Sequence, residues 1–241
     1  MSVLAVIPAR MGSARIPRKN LLEIEPGLTL VQQAIDCATG CGLVDEVVVS
    51  TDEPTMPVRG AGIVLRPPEL CGPASDIADA VHHAWLNTPS CVRHDLIVTL
   101  QPAVLARSPL ILRHCIERAH DTNHPVVTMA HTVIWHWQQR GDETRIDWLK
   151  NGRYPRSQDA PTCWAEVNAI TVAHAYDVSR RMRWTFPLVI ASLPSWAIAL
   201  DIDTPSDLAT ARGLWPWAKR ELETWQPAFH LIHRIAEGPV A

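Results

Sequence analysis

The sequence predicts an α/β protein in which helices flank a mainly parallel central sheet. Two observations lead to this prediction. Short aliphatic and β-branched runs alternate with stretches of helical periodicity up to about residue 130, as in successive β-α-β units. Apolar residues make up 47% of the 241 residues, which is enough to bury a sizeable core.

The elements follow in order from these patterns. Strands are expected at the aliphatic runs Val3 to Ile7, Glu46 to Ser50, Gly62 to Leu65, Asp95 to Leu100 and Pro125 to Ala130. Helices are expected where apolar residues recur at helical spacing, over Thr29 to Ala38, Asp76 to Leu86 and Ser108 to His120. Ser108 is a candidate N-cap because Pro109 would then occupy the first helical position.

The alternation breaks between about residues 131 and 165, a polar stretch with Trp135, Trp137, Trp148 and Trp164. This stretch predicts a small insertion, an arm or a flap over a site. A strand is expected again over Val167 to Val172. A further one is expected over Ser195 to Ile202, before a helix capped by Thr204. We therefore expect one domain over residues 1–212 and a Trp-rich helical tail over residues 213–241.

Composition argues against several classes of protein. Charged residues make up 20% of the chain and the net charge is −3, without the excess of Lys and Arg that nucleic-acid or membrane-surface binding needs. No apolar run is long enough to span a bilayer, and the first residues lack a signal-peptide pattern, so we expect a cytoplasmic protein. The six cysteines and eleven histidines show no zinc-binding spacing.

A basic loop follows the first predicted strand. It contains Gly12 and Ser13 among Arg10, Arg15 and Lys19, although it is not a P-loop. Backbone N–H groups can approach phosphate oxygens where glycine removes the side chain, and guanidinium groups bind phosphate with two hydrogen bonds. The alternative is a solvated basic loop, which is the usual fate of a charge run.

Three further segments place polar side chains after predicted strands. Asp201 and Asp203 would face one side of an extended segment, where Mg²⁺ would offset their repulsion, unless they only cap the next helix. Gln101 could bind a base or a sugar hydroxyl, and Arg66 lies beside a rigid Pro-Pro turn. Ligands of such sheets bind at the carboxyl ends of the strands.

Together these segments resemble the cytidylyltransferases that activate acidic 2-keto sugars, the CMP-sialic acid synthetase and 3-deoxy-octulosonate cytidylyltransferase family. The resemblance covers roughly residues 3–212. Its most specific motifs are Ile7-Pro8-Ala9-Arg10 with Gly12-Ser13 and Ile16-Pro17-Arg18-Lys19-Asn20, and Asp201-Ile202-Asp203-Thr204-Pro205. Weaker matches are Val49-Ser50-Thr51-Asp52, Leu65-Arg66-Pro67-Pro68, Leu100-Gln101-Pro102 with Arg107, and Asn168-Ala169-Ile170.

The resemblance implies a glycosyltransferase-A-like nucleotide-binding fold, usually a homodimer, that uses CTP and Mg²⁺ and releases pyrophosphate. It implies that Arg10, Lys19 and Asp201 are catalytic and that Asp201 and Asp203 bind the metal. The expected nucleotide-binding residues are Ala9, Arg10, Gly12, Ser13, Arg15, Lys19, Asn20, Arg66 and Gln101.

The acceptor side departs from the family pattern. Ala14 and Arg15 stand where sialic acid enzymes have Lys-Gly, a change that fits the 3-deoxy-octulosonate relatives, and Glu166 stands where an acceptor-binding arginine is expected. The expected acceptor residues are Gln101, Asn168, Arg156 and Glu166, with Arg153 or Arg156 as the replacement cation. Two other functions stay open: a nucleotidyltransferase for a sugar phosphate or phosphonate, and a catalytically silent nucleotide-binding scaffold.

Overall fold

The structure is a computed structural model of the whole chain. It describes residues 1–13, 15–72, 74–88, 90, 94–132, 156, 159, 163–195 and 199–233, and the backbone of residues 137–140 and 143–146.

Twelve strands and five α-helices make up this part of the chain. The strands are β1 (Val3–Pro8), β2 (Glu23–Glu25), β3 (Leu28–Thr29), β4 (Glu46–Thr51), β5 (Gly62–Leu65), β6 (Leu96–Leu100), β7 (Val126–Thr132), β8 (Trp137–Arg140), β9 (Glu143–Ile146), β10 (Cys163–His174), β11 (Leu188–Leu193) and β12 (Phe229–Ile232). The helices are α1 (Leu30–Gly40), α2 (Ile77–Leu86), α3 (Pro109–Thr122), α4 (Ala175–Ser179) and α5 (Pro205–Glu223).

The central sheet has eight strands in the order β12-β11-β7-β10-β6-β1-β4-β5. Strands β6, β1, β4 and β5 are mutually parallel, and β11 is parallel to β7. Strand β10 lies antiparallel between β6 and β7, and β12 is antiparallel to β11 at the edge. The predicted α/β architecture with a mainly parallel sheet is therefore confirmed.

Alternate residues of β1 pack on opposite faces of this sheet. Val3, Ala5 and Ile7 belong to the larger core cluster, which α1, α3 and α5 cover, whereas Leu4 and Val6 belong to the smaller cluster under α2 and α4. All of these side chains are fully buried, as the uniformly apolar strand sequence predicts. The sheet is thus the middle of three layers, and its strand ends are left to carry polar loops.

The helix starts follow capping rules. The Ser108 hydroxyl accepts the Ile111 N–H at 3.2 Å, with Pro109 at the first helical position as predicted. Thr204 and Asp207 form a reciprocal capping box at the start of α5. None of the described helices combines the length and hydropathy that a membrane span needs.

The segment between β7 and β10 contains a separate two-stranded antiparallel sheet, β8 with β9, while the predicted arm or flap stays a prediction. Trp164 belongs to β10 of the central sheet, where it packs between His131 and His230. Trp135, Trp148 and Arg153 lie outside the described residues.

The strand prediction before α5 is wrong. The strand is β11, an aliphatic run bounded by Pro187 and Pro194, and the described residues of the predicted segment, 195 and 199–202, form only the bridge at Asp201. Asp201 forms an isolated antiparallel bridge with Val104. The segment that carries Asp201 and Asp203 is therefore held by a bridge to the loop after β6, and not by the hydrogen-bond ladder of a strand.

The C-terminal region also differs from the helical tail that the sequence suggests. Helix α5 runs through residue 213, so the expected division at residue 212 falls inside one helix. After it, β12 pairs with β11, for example Leu188 with Ile232, and becomes the edge of the central sheet. Helical periodicity does not reveal this strand because it is short and half exposed.

Candidate functional site

The loops with polar motifs open on one edge of the sheet. In the parallel register Pro8 lies opposite Ser50, and Thr51 lies opposite Leu65. In the antiparallel register Ile170 lies opposite Leu100, so residues that precede Ile170 extend past the carboxyl end of β6. Loops after β1, β4, β5 and β6 therefore meet the start of β10 at the edge where α/β sheets bind ligands.

The loop after β1 is held by hydrogen bonds to its neighbours. The Ala9 N–H donates to the Ser50 carbonyl at 2.8 Å, and the Met11 N–H donates to Asp52 Oδ1 at 2.7 Å. The buried Asn20 side chain donates to the Arg10 carbonyl at 2.9 Å, which closes the loop on itself. These hydrogen bonds to protein groups hold the loop in one conformation.

Gly12 is exposed at the turn of this loop, next to Ser13. A Cβ atom added at Gly12 would meet no described heavy atom within 4 Å, and the residue does not have positive φ. Neither packing nor backbone conformation therefore requires glycine here. A ligand that approaches the backbone closely would require it.

An ion-paired cluster joins the N-terminal loop to the segment before α5. Lys19 Nζ contacts Asp203 Oδ1 at 3.0 Å across a sequence separation of 184 residues, and Arg15 Nη2 contacts Asp203 Oδ2 at 2.6 Å. The Lys19 side chain is only 14% exposed whereas that of Arg15 is 65% exposed, so solvent screens the Arg15 pair far more.

The two aspartates are held from both sides. The Ile202 N–H donates to the Ala103 carbonyl at 3.0 Å, and the Asp203 N–H donates to Asp207 Oδ2 of the capping box at 3.0 Å. Asp201, between the Val104 bridge and these contacts, keeps its side chain exposed. The aspartates thus project from a fixed backbone.

The electrostatics of the pair suit a cation. Although Asp201 is exposed, the surrounding protein displaces part of its water. This desolvation is the main cause that raises the pKa of Asp201, and the charge of Asp203 is the second. Lys19 and Arg15 lower the pKa and oppose the shift. No described group of three or more His, Cys, Asp or Glu side chains could hold a metal by itself. Two carboxylates fit a magnesium ion only if the substrate supplies further oxygens, which is how Mg²⁺ commonly binds with phosphates.

Arg66 and Arg10 hold the segment after β5. Arg66 is 7% exposed and donates to the Ser50 carbonyl at 2.9 Å, the Ser50 hydroxyl at 3.2 Å and the Leu70 carbonyl at 3.4 Å. Burial is the main cause that lowers the pKa of Arg66. Arg10 donates to the carbonyls of Cys71 and Gly72 at 2.8 and 2.5 Å. Both guanidinium groups thus shape the wall next to the predicted phosphate loop.

Arg107 supports the loop after β6. It is 1% exposed, and its guanidinium donates to the carbonyls of Gln101 at 2.5 Å, Pro102 at 3.2 Å and Val104. Burial lowers the pKa of Arg107 to about 10, so it remains charged at neutral pH. The sequence shows Arg107 only as part of a motif. An arginine inside the apolar run before the Ser108 cap is the signal of its burial.

The predicted acceptor residues are only partly brought together. Glu166 and Asn168 lie at the start of β10, and a residue that the sequence analysis missed, Arg183, donates to both of them. Arg156 instead pairs with Asp159 at 2.7 Å on the surface, where its side chain is 74% exposed. Arg183, from the segment after α4, therefore supplies the cation beside Glu166.

Comparisons with known proteins identify the family of the chain. A family model described as cytidylyltransferase matches residues 4–101. The CMP-N,N'-diacetyllegionaminic acid synthase of Legionella pneumophila is 33% identical over 227 residues, which cover 89% of this chain and 96% of the relative. A pseudaminic acid cytidylyltransferase of Campylobacter jejuni is 47% identical over 53 residues, 22% of each chain.

A solved structure shares the fold. It is a CMP:2-keto-3-deoxy-manno-octonic acid synthetase complexed with CTP, and it matches with a TM-score of 0.62 at 19% identity over 90% of this chain and 99% of that one. At that identity the match supports the fold alone. On the strength of the nearly full-length Legionella relative, the chain belongs to the cytidylyltransferase family of CMP-sugar synthetases and 3-deoxy-octulosonate cytidylyltransferases.

Proposed function

We propose that this nucleotidyltransferase transfers CMP from CTP to a hydroxyl of an acidic 2-keto sugar and releases pyrophosphate. The observation that carries the proposal is the Lys19–Asp203 contact with Arg15 beside it. It joins the glycine-containing basic loop and the aspartate pair, from opposite ends of the chain, at the ligand-binding edge of the sheet. Membership of the cytidylyltransferase family supports CTP as the nucleotide.

In this reaction the acceptor hydroxyl oxygen attacks the α-phosphorus of CTP. The bond from that phosphorus to the bridging oxygen of the β-phosphate breaks, pyrophosphate leaves with the electron pair, and the hydroxyl proton passes to solvent. The protein contributes by positioning the reactants and by stabilising charge on the phosphates. In this proposal Arg10, Lys19 and the backbone around Gly12 would bind the triphosphate.

Magnesium belongs to the proposal. Asp201 and Asp203 would hold it together with phosphate oxygens, a donor set that Mg²⁺ prefers, and the raised pKa of Asp201 reflects a negative charge that a cation would stabilise. When bound, the ion supplies positive charge next to the reacting phosphates. Asp203 would then exchange part of its contact with Lys19 for the ion, which frees Lys19 for the nucleotide.

One assay tests the proposal. The protein is incubated with each nucleoside triphosphate, Mg²⁺ and a panel of 2-keto sugar acids, sugar phosphates and phosphonates, and pyrophosphate is followed. We expect release with CTP and a keto sugar acid, and loss of release with EDTA. Release only with a sugar phosphate or phosphonate would favour the alternative acceptor, and absence of CTP binding in calorimetry would contradict the proposal altogether.

A homodimer is also part of the proposal, on the grounds of the family resemblance, and so is the cytoplasmic location expected from the sequence. Light scattering coupled to size-exclusion chromatography tests the dimer. A monomer at micromolar concentration would contradict it.

A further inference from the structure

Arg183 occupies a position at the acceptor side that nothing in the local sequence suggests. Its Nη2 donates to Glu166 Oε1 at 3.2 Å and to Asn168 Oδ1. Both partners precede Ile170, which lies opposite Leu100 in the register, so they extend past the carboxyl end of β6. Arg183 therefore lies at the same edge of the sheet as Gln101.

The segment that carries Arg183 is fixed by α4. The Met182 N–H donates to the Asp177 carbonyl at 3.0 Å, and the Thr185 hydroxyl donates to Asp177 Oδ1 at 3.0 Å. Asp177 itself is only 4% exposed. On the other side, Asn168 has φ 58°, within the stretch where the register of β10 against β7 shifts. Such an irregularity re-aims a side chain, here toward Arg183.

The guanidinium group retains unused donors. Arginine has five N–H groups, and both contacts of Arg183 come from Nη2. Among the described residues Nε and Nη1 make no hydrogen bond, and the side chain is 32% exposed. The N–H group of Nε and the two of Nη1 therefore remain available to donate charge-assisted hydrogen bonds to a carboxylate.

Arg183 also borders a cleft beside the sheet. The cleft is narrow, with room for about one water molecule, and is open in part to solvent. Its wall includes Ile77 from the first turn of α2 and the sheet residues Thr99 and Thr171, which lie opposite each other near the carboxyl end of β6. Arg183 is the charged residue among those that line this cleft, and it lies at its rim.

We infer that Arg183 binds the carboxylate of the acceptor and that Glu166 and Asn168 hold it in place. The inference rests on the proposed function, because it assigns a residue to the acceptor of that reaction. It also explains how a site that contains Glu166 accepts an acid. The ion pair cancels the charge of Glu166, and the remaining donors of the part-exposed Arg183 are available to the ligand. Removal of Arg183 alone would leave Glu166 to repel the substrate.

The test compares R183A, R183K and E166Q with the wild type, using an acceptor acid that supports pyrophosphate release and its carboxamide analogue. For R183A we expect a rise in KM of the acid of about 10- to 100-fold, with KM of CTP unchanged, and loss of the preference for acid over amide. R183K should retain part of that preference. E166Q should lower KM of the acid because it removes the negative charge that competes with the acceptor carboxylate for Arg183. R183A/E166Q should bind the acid better than R183A.

R180A is the matched control. Arg180 lies three residues before Arg183, is exposed, and contacts Tyr176 instead of the strands. Its kinetics should equal those of the wild type. Calorimetric CTP binding by R183A shows whether that variant is folded.

Two results would overturn the inference alone: an unchanged KM of the acid in R183A, or an equal rise in KM for acid and amide. If the wild-type enzyme binds CTP but none of the keto sugar acids leads to pyrophosphate release, the proposed function is contradicted, and the assignment of Arg183 with it.

Discussion

Replacing Arg107 with methionine tests how the loop that carries Gln101 is held. Methionine fills the space of the arginine stem but donates no hydrogen bond, so the change creates little cavity. The carbonyls of Pro102 and Val104 are buried and would lose their donors. A buried carbonyl without a partner costs about 1–3 kcal/mol, so the two together predict a loss of about 2–6 kcal/mol of unfolding free energy.

A protein of this size has about 5–15 kcal/mol of stability, so the variant should still fold at low temperature. Urea unfolding followed by tryptophan fluorescence measures the loss, since the chain has 10 tryptophans. Because Val104 bridges Asp201, we also expect a lower kcat. Arg113→Met on the exposed side of α3 is the control, with a change within about 0.5 kcal/mol. Equal stability and equal kcat for Arg107→Met and wild type would refute the supporting role of Arg107.

Three further predictions concern the ligand-binding edge. The pKa of Asp201 is raised above its ordinary value of 3.8. Ionisation of Asp201 therefore lowers the free energy of unfolding at a pH above the raised pKa, and this loss is absent below pH 3.8. Asp201→Asn should therefore raise the melting temperature of the metal-free protein at pH 7 but not at pH 3, while it abolishes metal-dependent turnover; a lower melting temperature at pH 7 would contradict this sign. Lys19→Met should lower kcat/KM for CTP about 100-fold or more, whereas Arg15→Met, whose pair with Asp203 is solvated, should have a smaller effect in the same pyrophosphate assay. Gly12→Ala should leave the urea midpoint unchanged, since no atom of the described residues lies within 4 Å of the added Cβ, but weaken CTP binding in calorimetry; unchanged binding would show that the backbone there does not approach the nucleotide.

The nucleotide side of the site could be predicted from the sequence because its residues directly follow buried strands. Arg10 follows β1 and Gln101 follows β6, and parallel strands bring such ends together without further information. The pairing of Asp203 with Lys19 was not predicted, since a charge pattern does not show which cation a carboxylate meets across 184 residues.

The acceptor side could not be predicted in the same way. Arg183 reaches Glu166 from a loop 17 residues later, and the contact depends on α4 and on the irregular register of β10. Neither feature has a periodic signature. Strand β11, by contrast, could have been predicted, because it is an aliphatic run between two prolines.

The antiparallel pair of β6 and β10 has a consequence for how such enzymes diverge. Strands β1, β4, β5 and β6 all come from residues before Gln101, the region that the cytidylyltransferase family model matches, and the remaining strands of the sheet all come after it. Within the sheet, the two halves share one ladder, in which Thr99 lies opposite Thr171. Recombination after β6 that preserves this register would exchange the half that carries Glu166 and Arg183 and keep the half that carries the basic loop and Arg66, but the incoming half would have to supply an aspartate that pairs with Lys19.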